Sequence, residues 1–328
     1  MSKRMTLSLL GNPNCGKTAI FNLLSGLNQK VSNYPGITVE KKVAQFKLDD
    51  NTSLQLEDYP GAYSTIPQSL DEKIVSSSVL DWMKNSDSRP DGIVYVADLT
   101  NLRRNLFFLS QLLPLDIPII LLLNMSDLVN QDIVDAKLLK KMIGVHDVIL
   151  FSAANKTGLT AFKKSIINIP KAQKKSHSCM PLSNEYKKLI SPLTDKVSDL
   201  YDVSSTVSEQ LSFSLLCNRK QLEQLNLEKN DLHEIVSIKT KILDSIDKDM
   251  KIHLKTMESD LRYAFIDDLL SSSKYSDIKD VKEVTVSEKI DRVLTHGFFG
   301  PFIYVGILYF IFQSIFTWAG VPMDFIDS

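Results

Sequence analysis

Cysteine is scarce in this chain: Cys15, Cys179 and Cys217 stand far apart, with no C-x-x-C pair. That excludes a disulfide framework or a zinc knuckle and fits a reducing compartment. The five histidines never form H-E-x-x-H, so no zinc-hydrolase helix is encoded. Neither sign of charge prevails: 38 Lys and Arg face 39 Asp and Glu, which is not the balance of a nucleic-acid binder. Glycine is absent from 183 to 280. Lys3 and Arg4 precede an apolar run at 5–10 that is too short for a signal peptide.

What is present begins with Gly11-Asn12-Pro13-Asn14-Cys15-Gly16-Lys17-Thr18, which fits G-x-x-x-x-G-K-[ST]. It follows an apolar strand pattern and leads into a helical one from Ala19 onward, the context this motif requires. Backbone N–H groups of such a loop face a phosphate chain, and the helix adds the positive end of its dipole. Lys17 is suited to β/γ-phosphate charge and Thr18 to Mg²⁺.

Four more elements follow in order. Asn33-Tyr34-Pro35-Gly36-Ile37-Thr38 reads as a Pro-Gly loop. Its Thr38 can reach Mg²⁺ and the γ-phosphate and let go after hydrolysis. Asp58-Tyr59-Pro60-Gly61 follows an alternating strand; Asp58 can hold the Mg²⁺ shell, and Gly61 leaves its N–H free for the γ-phosphate. Asn124-Met125-Ser126-Asp127 follows a buried strand pattern. A carboxylate at Asp127 can accept both N–H groups of guanine, a pair that adenine lacks. Asn124 can brace the loop and reach the purine N7. Met125 stands where a lysine is usual, so a stack on the base persists without its charge. Ser152-Ala153-Ala154 would close on the guanine O6 with its backbone. Together the elements specify a GTP/GDP site. An ATP-dependent P-loop enzyme is the alternative only if Asp127 is disregarded.

Length allows two domains. Residues 4–168 alternate strands (about 4–10, 39–48, 52–57, 91–97, 117–123 and 147–151) with helices (about 16–26, 69–85, 101–114, 135–143 and 158–168). This predicts an α/β P-loop GTPase fold with a mostly parallel sheet covered on both faces. Asp49-Asp50-Asn51 joins 39–48 to 52–57 as a hairpin, so one edge strand should be antiparallel. The division is a GTP-binding domain at 1–169, a polar linker at 170–182, a small all-α domain at 183–285 and a juxtamembrane segment with one transmembrane helix at 286–328. That last segment has no charged residue from 297 to 323, long enough to span a bilayer at about 298–321. Lys282, Lys289 and Arg292 precede it and Asp324 and Asp327 follow, which puts the amino-terminal domains in the cytoplasm.

The motifs at 11–18, 33–41, 58–64 and 124–127, the run Asn101-Leu102-Arg103-Arg104-Asn105-Leu106 and the stretch 287–301 resemble the bacterial ferrous iron transport protein B family. The resemblance covers the whole chain. It implies the cytosolic GTPase part of an inner-membrane Fe²⁺ transporter, with regulation or driving of iron uptake by GTP hydrolysis. It also implies small cytosolic accessory proteins, a homo-oligomer and a K⁺ ligand at Asn14. One span cannot form a permease, so the chain reads as truncated after its first span; a membrane-tethered GTPase switch without transport is the alternative. Cys15 stands where the family usually has serine. Ala62 occupies the place of the glutamine that orients water in many GTPases, so hydrolysis should be slow and K⁺-stimulated. Asp71 and Glu72 read first as a helix cap, since Ser69-x-x-Glu72 fits a capping box.

Overall fold

The computed structural model describes residues 3–26, 29–33, 40–47, 52–84, 86–129, 133–171, 177–201, 203–225, 227–246, 248–275, 294 and 299–314. By contacts, Met1–Ser276 form one compact unit and Asp277–Ser328 a second.

In the first unit β1 (Lys3–Gly11) runs into α1 (Lys17–Ser25). Then come β2 (Gln29–Asn33), β3 (Glu40–Lys47), β4 (Thr52–Asp58), α2 (Leu70–Lys84), β5 (Gly92–Asp98), α3 (Leu102–Leu112), β6 (Ile119–Asn124), α4 (Ala136–Ile143), β7 (Asp147–Leu150) and α5 (Leu159–Asn168). The seven strands form one sheet in the order β2-β3-β4-β1-β5-β6-β7. β4, β1, β5, β6 and β7 are parallel, and β3 is antiparallel to both β4 and β2.

Apolar residues decide the interior. Ile119 to Asn124 of β6 are all buried, as expected of a parallel strand covered on both faces. Leu7, Leu9, Ile20, Phe21, Val94 and Phe162 belong to one core cluster between the sheet and its helices.

The structure differs from the sequence expectation at β2. The strand expected at the edge, 39–48, is flanked on both sides, and β2 takes the edge. Gln29-Lys30-Val31-Ser32-Asn33 has one apolar residue, so alternation cannot reveal it; pairing with β3 creates it.

The helical region follows with α6 (Asn184–Tyr201), α7 (Ser205–Cys217), α8 (Arg219–Gln224), α9 (Lys229–Ser245) and α10 (Lys248–Ser272). It belongs to the same compact unit as the sheet. Arg262 and Glu258 of α10 form a buried ion pair, and Arg262 Nη1 donates to Ser110 O of α3 at 3.1 Å. The described part of the linker is docked: Ser178 N donates to Ile143 O at 2.8 Å, and Met180 and Leu182 are buried.

The second unit contains α11 (Phe299–Gln313), 15 residues without a charge. Among the described residues no helix is long and apolar enough to cross a membrane. Residues 298 and 315–321 of the expected span lie outside the described residues.

Candidate nucleotide-binding site

The end of β1 and the start of α1 enclose the phosphate-loop motif. Gly16 is the N-cap of α1 with φ 95°, and a Cβ there would lie 2.2 Å from Asn124 Nδ2. Glycine is thus required twice at this position, for its left-handed backbone and for the neighbour. Asn14 also adopts a left-handed φ, 63°, which Asn tolerates better than most residues. Its side chain is exposed. Lys17 is buried, and its Nζ donates to Gly11 O at 3.2 Å and Asn12 O at 2.9 Å. Burial lowers the pKa of this ammonium, with Cys15 and Asp58 acting in the opposite direction. Thr18 and Ala19 are exposed at the first turn of α1, and burial raises the pKa of the Cys15 thiol.

The two motifs thought to hold a purine meet the phosphate loop through one side chain. Asn124 Nδ2 donates to Cys15 O at 2.9 Å, and Asn124 Oδ1 accepts from Ala153 N at 3.0 Å. Sheet order explains the meeting, because β1, β5, β6 and β7 are parallel neighbours and their following loops emerge at one edge. Met125 takes φ 64°, and Ser126 N donates to Phe151 O at 3.1 Å. Asp127 is exposed in the short turn that follows. Ser152 is buried, its Oγ accepting from Asn155 N at 3.1 Å, and Ala154 is exposed in the same turn.

Asp58 ends β4, beside β1. Tyr59 N donates to Leu9 O and Ala62 N to Gly11 O, each at 3.2 Å. The chain therefore folds over the phosphate loop, and a Cβ on Gly61 would lie 2.7 Å from Pro13 Cα. Asp58 Oδ1 is buried and, among the described residues, has no hydrogen-bond partner. Burial pushes the carboxyl pKa up to about 6, against the pull of Lys17 and Lys42. An orphaned carboxylate oxygen beside a phosphate loop fits a hard cation such as Mg²⁺.

A proton competes with a cation for that oxygen. Because the folded-state pKa is raised to about 6, Asp58 is mostly protonated below that value, and its ionised form costs the metal-free fold stability above it. Mg²⁺ affinity in the presence of GDP should therefore weaken about tenfold per pH unit below 6. Calorimetric titrations at pH 5 and pH 7.5 check this, and equal affinities would contradict it.

Glu72 forms half of the anticipated capping box. Ser69 Oγ accepts from Glu72 N at 3.2 Å, yet the Glu72 carboxylate takes Tyr63 N at 3.1 Å and Gln68 N at 2.7 Å. It clamps the loop after Gly61 rather than returning to the cap. Gly36, Ile37 and Thr38 lie outside the described residues.

Sequence reasoning missed Tyr95 and Asn105. The Tyr95 hydroxyl donates to Asn105 O at 2.6 Å and lies 3.2 Å from Asn12 Oδ1. Asn105 Oδ1 accepts from Asp98 N at 3.1 Å. Together they fasten α3 to the phosphate loop. Tyr95 sits in an apolar strand run, where an aromatic reads as core, so nothing in the pattern singles it out.

The family model described as ferrous iron transport protein B matches residues 5–166. An Fe(2+) transporter FeoB of Leptospira interrogans is 30% identical over 333 residues, covering 100% of this chain and 45% of that protein. The chain thus spans less than half the length of that curated relative. A crystal structure of a point mutant of S. thermophilus NFeoB bound to GDP is 27% identical at a TM-score of 0.64, covering 82% of this chain and 99% of that one. The cytosolic domain of L. pneumophila FeoB is 29% identical at the same TM-score of 0.64, covering 81% and 98%. With a P-loop GTPase fold, these motifs in register and likeness along its whole length, the chain belongs to the ferrous iron transport protein B family.

Proposed function

We propose that this chain is the GTP-binding and GTP-hydrolysing cytosolic part of a bacterial Fe²⁺ membrane transporter, regulating or driving iron uptake. The observation that carries the GTPase reading is the double hydrogen bond of Asn124, which joins the phosphate loop to the Ser152–Ala154 turn. One polar side chain ties the phosphate end of the site to its purine end, and Asp127 stands three residues on to read guanine. Lys17 and the loop amides would hold the phosphates. Thr18, Thr38 and Asp58 would hold Mg²⁺, which neutralises phosphate charge when bound.

In this reading 1–169 bind GTP, 170–182 connect, 183–285 regulate, and 286–328 carry the first span. The exposed apolar side chains of α11, among them Phe302, Tyr304, Tyr309 and Phe310, support placing that helix in lipid, with the preceding domains in the cytoplasm. Fe²⁺ is the transported substrate in this reading, with accessory proteins and self-association as its partners.

Ala62 cannot orient water, so hydrolysis is slow without help. Among the described residues no hydrogen-bonding partner takes up the Asn14 side chain, which supports its oxygen as a K⁺ ligand rather than a loop brace. GTP turnover should be faster in K⁺ than in Na⁺ at matched ionic strength, and Asn14→Ala should abolish the difference. Equal rates in both salts would sink the K⁺ assignment. Restoration of iron uptake by the complete gene in a strain lacking its own ferrous transporter tests the transport reading.

A further inference from the structure

We propose that Arg104 is a positioning residue for GTP hydrolysis, acting by holding the ring of Tyr63 so that the Gly61–Tyr63 segment keeps its place over the phosphate loop. The inference rests on the GTPase reading above. With alanine at position 62, the residue after Gly61 has no side chain to direct water, and the backbone of this segment must be well placed by other means. Two backbone N–H groups contribute: Ala62 N donates to Gly11 O at 3.2 Å, and Tyr63 N donates to the Glu72 side chain, Oε1, at 3.1 Å. Tyr63 is 39% exposed, so the core does not hold its ring. Its ring instead lies 4.3 Å from the Arg104 guanidinium carbon, within cation–π range.

Arg104 is a suitable post because its backbone is fixed to the same loop. Its carbonyl accepts from Asn12 Nδ2 at 3.5 Å, and the next carbonyl, that of Asn105, accepts from the Tyr95 hydroxyl. Its neighbour Arg103 is committed elsewhere, bidentate to Asp267 of α10 at 2.6 and 2.8 Å. Among the described residues no carboxylate pairs with Arg104, leaving its guanidinium to the ring. Arg104 and Tyr63 border a cleft of about 660 Å³ shared with Pro13, Gly61, Phe107 and Tyr263. Without the stack, the ring has open space to swing into, and the segment following Gly61 can leave with it.

The test is steady-state GTP hydrolysis by the full 328-residue chain in detergent, comparing wild type with Arg104→Ala, Tyr63→Leu, Tyr63→Phe and the Arg104→Ala/Tyr63→Leu double variant. Arg104→Ala and Tyr63→Leu should each lower kcat about fivefold, with KM for GTP and affinity for GDP within about twofold of wild type. Tyr63→Phe keeps the ring and should retain wild-type turnover. The double variant should be no slower than either single variant, because both remove one interaction. Wild-type kcat in Arg104→Ala, additive losses in the double variant, or a loss of GDP affinity as large as the loss in kcat would overturn the inference alone. A wild-type chain that hydrolyses no GTP would overturn both the inference and the reading it rests on.

Discussion

Replacing Lys17 with alanine should lower GTP turnover by about 10²- to 10³-fold, the loss seen when one preorganised donor to a developing charge is removed. It should also remove the thermal stabilisation that bound nucleotide confers. The nucleotide-free protein should melt close to wild type, for a reason visible in the structure. Lys17 is 8% exposed, and among the described residues its ammonium has only the carbonyls of Gly11 and Asn12 to replace water. Burial lowers its pKa, so the folded chain binds this proton less tightly than the unfolded chain. The charged form is therefore a cost to the empty fold at neutral pH. Alanine relieves that cost and gives up two hydrogen bonds, and the two effects oppose each other. Melting curves with and without GDP, beside turnover measurements, check both halves. A nucleotide-induced shift as large as that of wild type would show that Lys17 does not face the phosphates.

Asn124→Ala should behave differently, weakening both the fold and the site. Asn124 is 3% exposed and serves two main-chain partners, Cys15 O and Ala153 N. Truncation leaves a carbonyl and an amide without their partner, at about 1–3 kcal/mol each. The sum, about 2–6 kcal/mol, should lower the melting temperature by about 5–20 °C for a unit of this size. GTP affinity should fall at least about tenfold, since the turn at 152–154 is no longer tied to the phosphate loop. Thermal unfolding of the empty chain and a GTP titration measure the two effects separately. If melting is unchanged, the bridge contributes nothing; if only melting changes, the Ser152–Ala154 turn does not contact the purine.

Much of the nucleotide domain was legible from local pattern. The helices anticipated at 69–85 and 135–143 appear at Leu70–Lys84 and Ala136–Ile143, because each has an amphipathic repeat with an amino-terminal signal. Ser69 Oγ accepts from Glu72 N, and Asp135 accepts from Lys137 N and Leu138 N. β2 was not legible, since one apolar residue in five gives no alternation and only its pairing with β3 defines it as a strand. The stretch around His177 read as a linker because it is polar. Yet His177 is buried, its ring nitrogens 3.2 Å from Gly144 O and 2.9 Å from Ile117 O. Polarity signals a linker only when no carbonyl groups wait to receive it.

Apart from β2, the sequence by itself determined the succession of strand, loop and helix in the nucleotide domain and the kind of chemistry each motif loop carries. These depend on residues a few positions apart: the period of apolar side chains, the glycines of the phosphate loop, the carboxylates at strand ends. Only the tertiary structure decided which loops meet. Asn124 reaches Cys15 across 109 positions and Arg103 reaches Asp267 across 164, separations at which no periodic pattern carries information. The reason is strand order: β1 sits between β4 and β5, so loops distant in sequence leave the same edge of the sheet. That edge also withdraws Asp58 Oδ1 from water with no donor to it among the described residues, a condition that depends on what surrounds the carboxylate rather than on what precedes it in the chain.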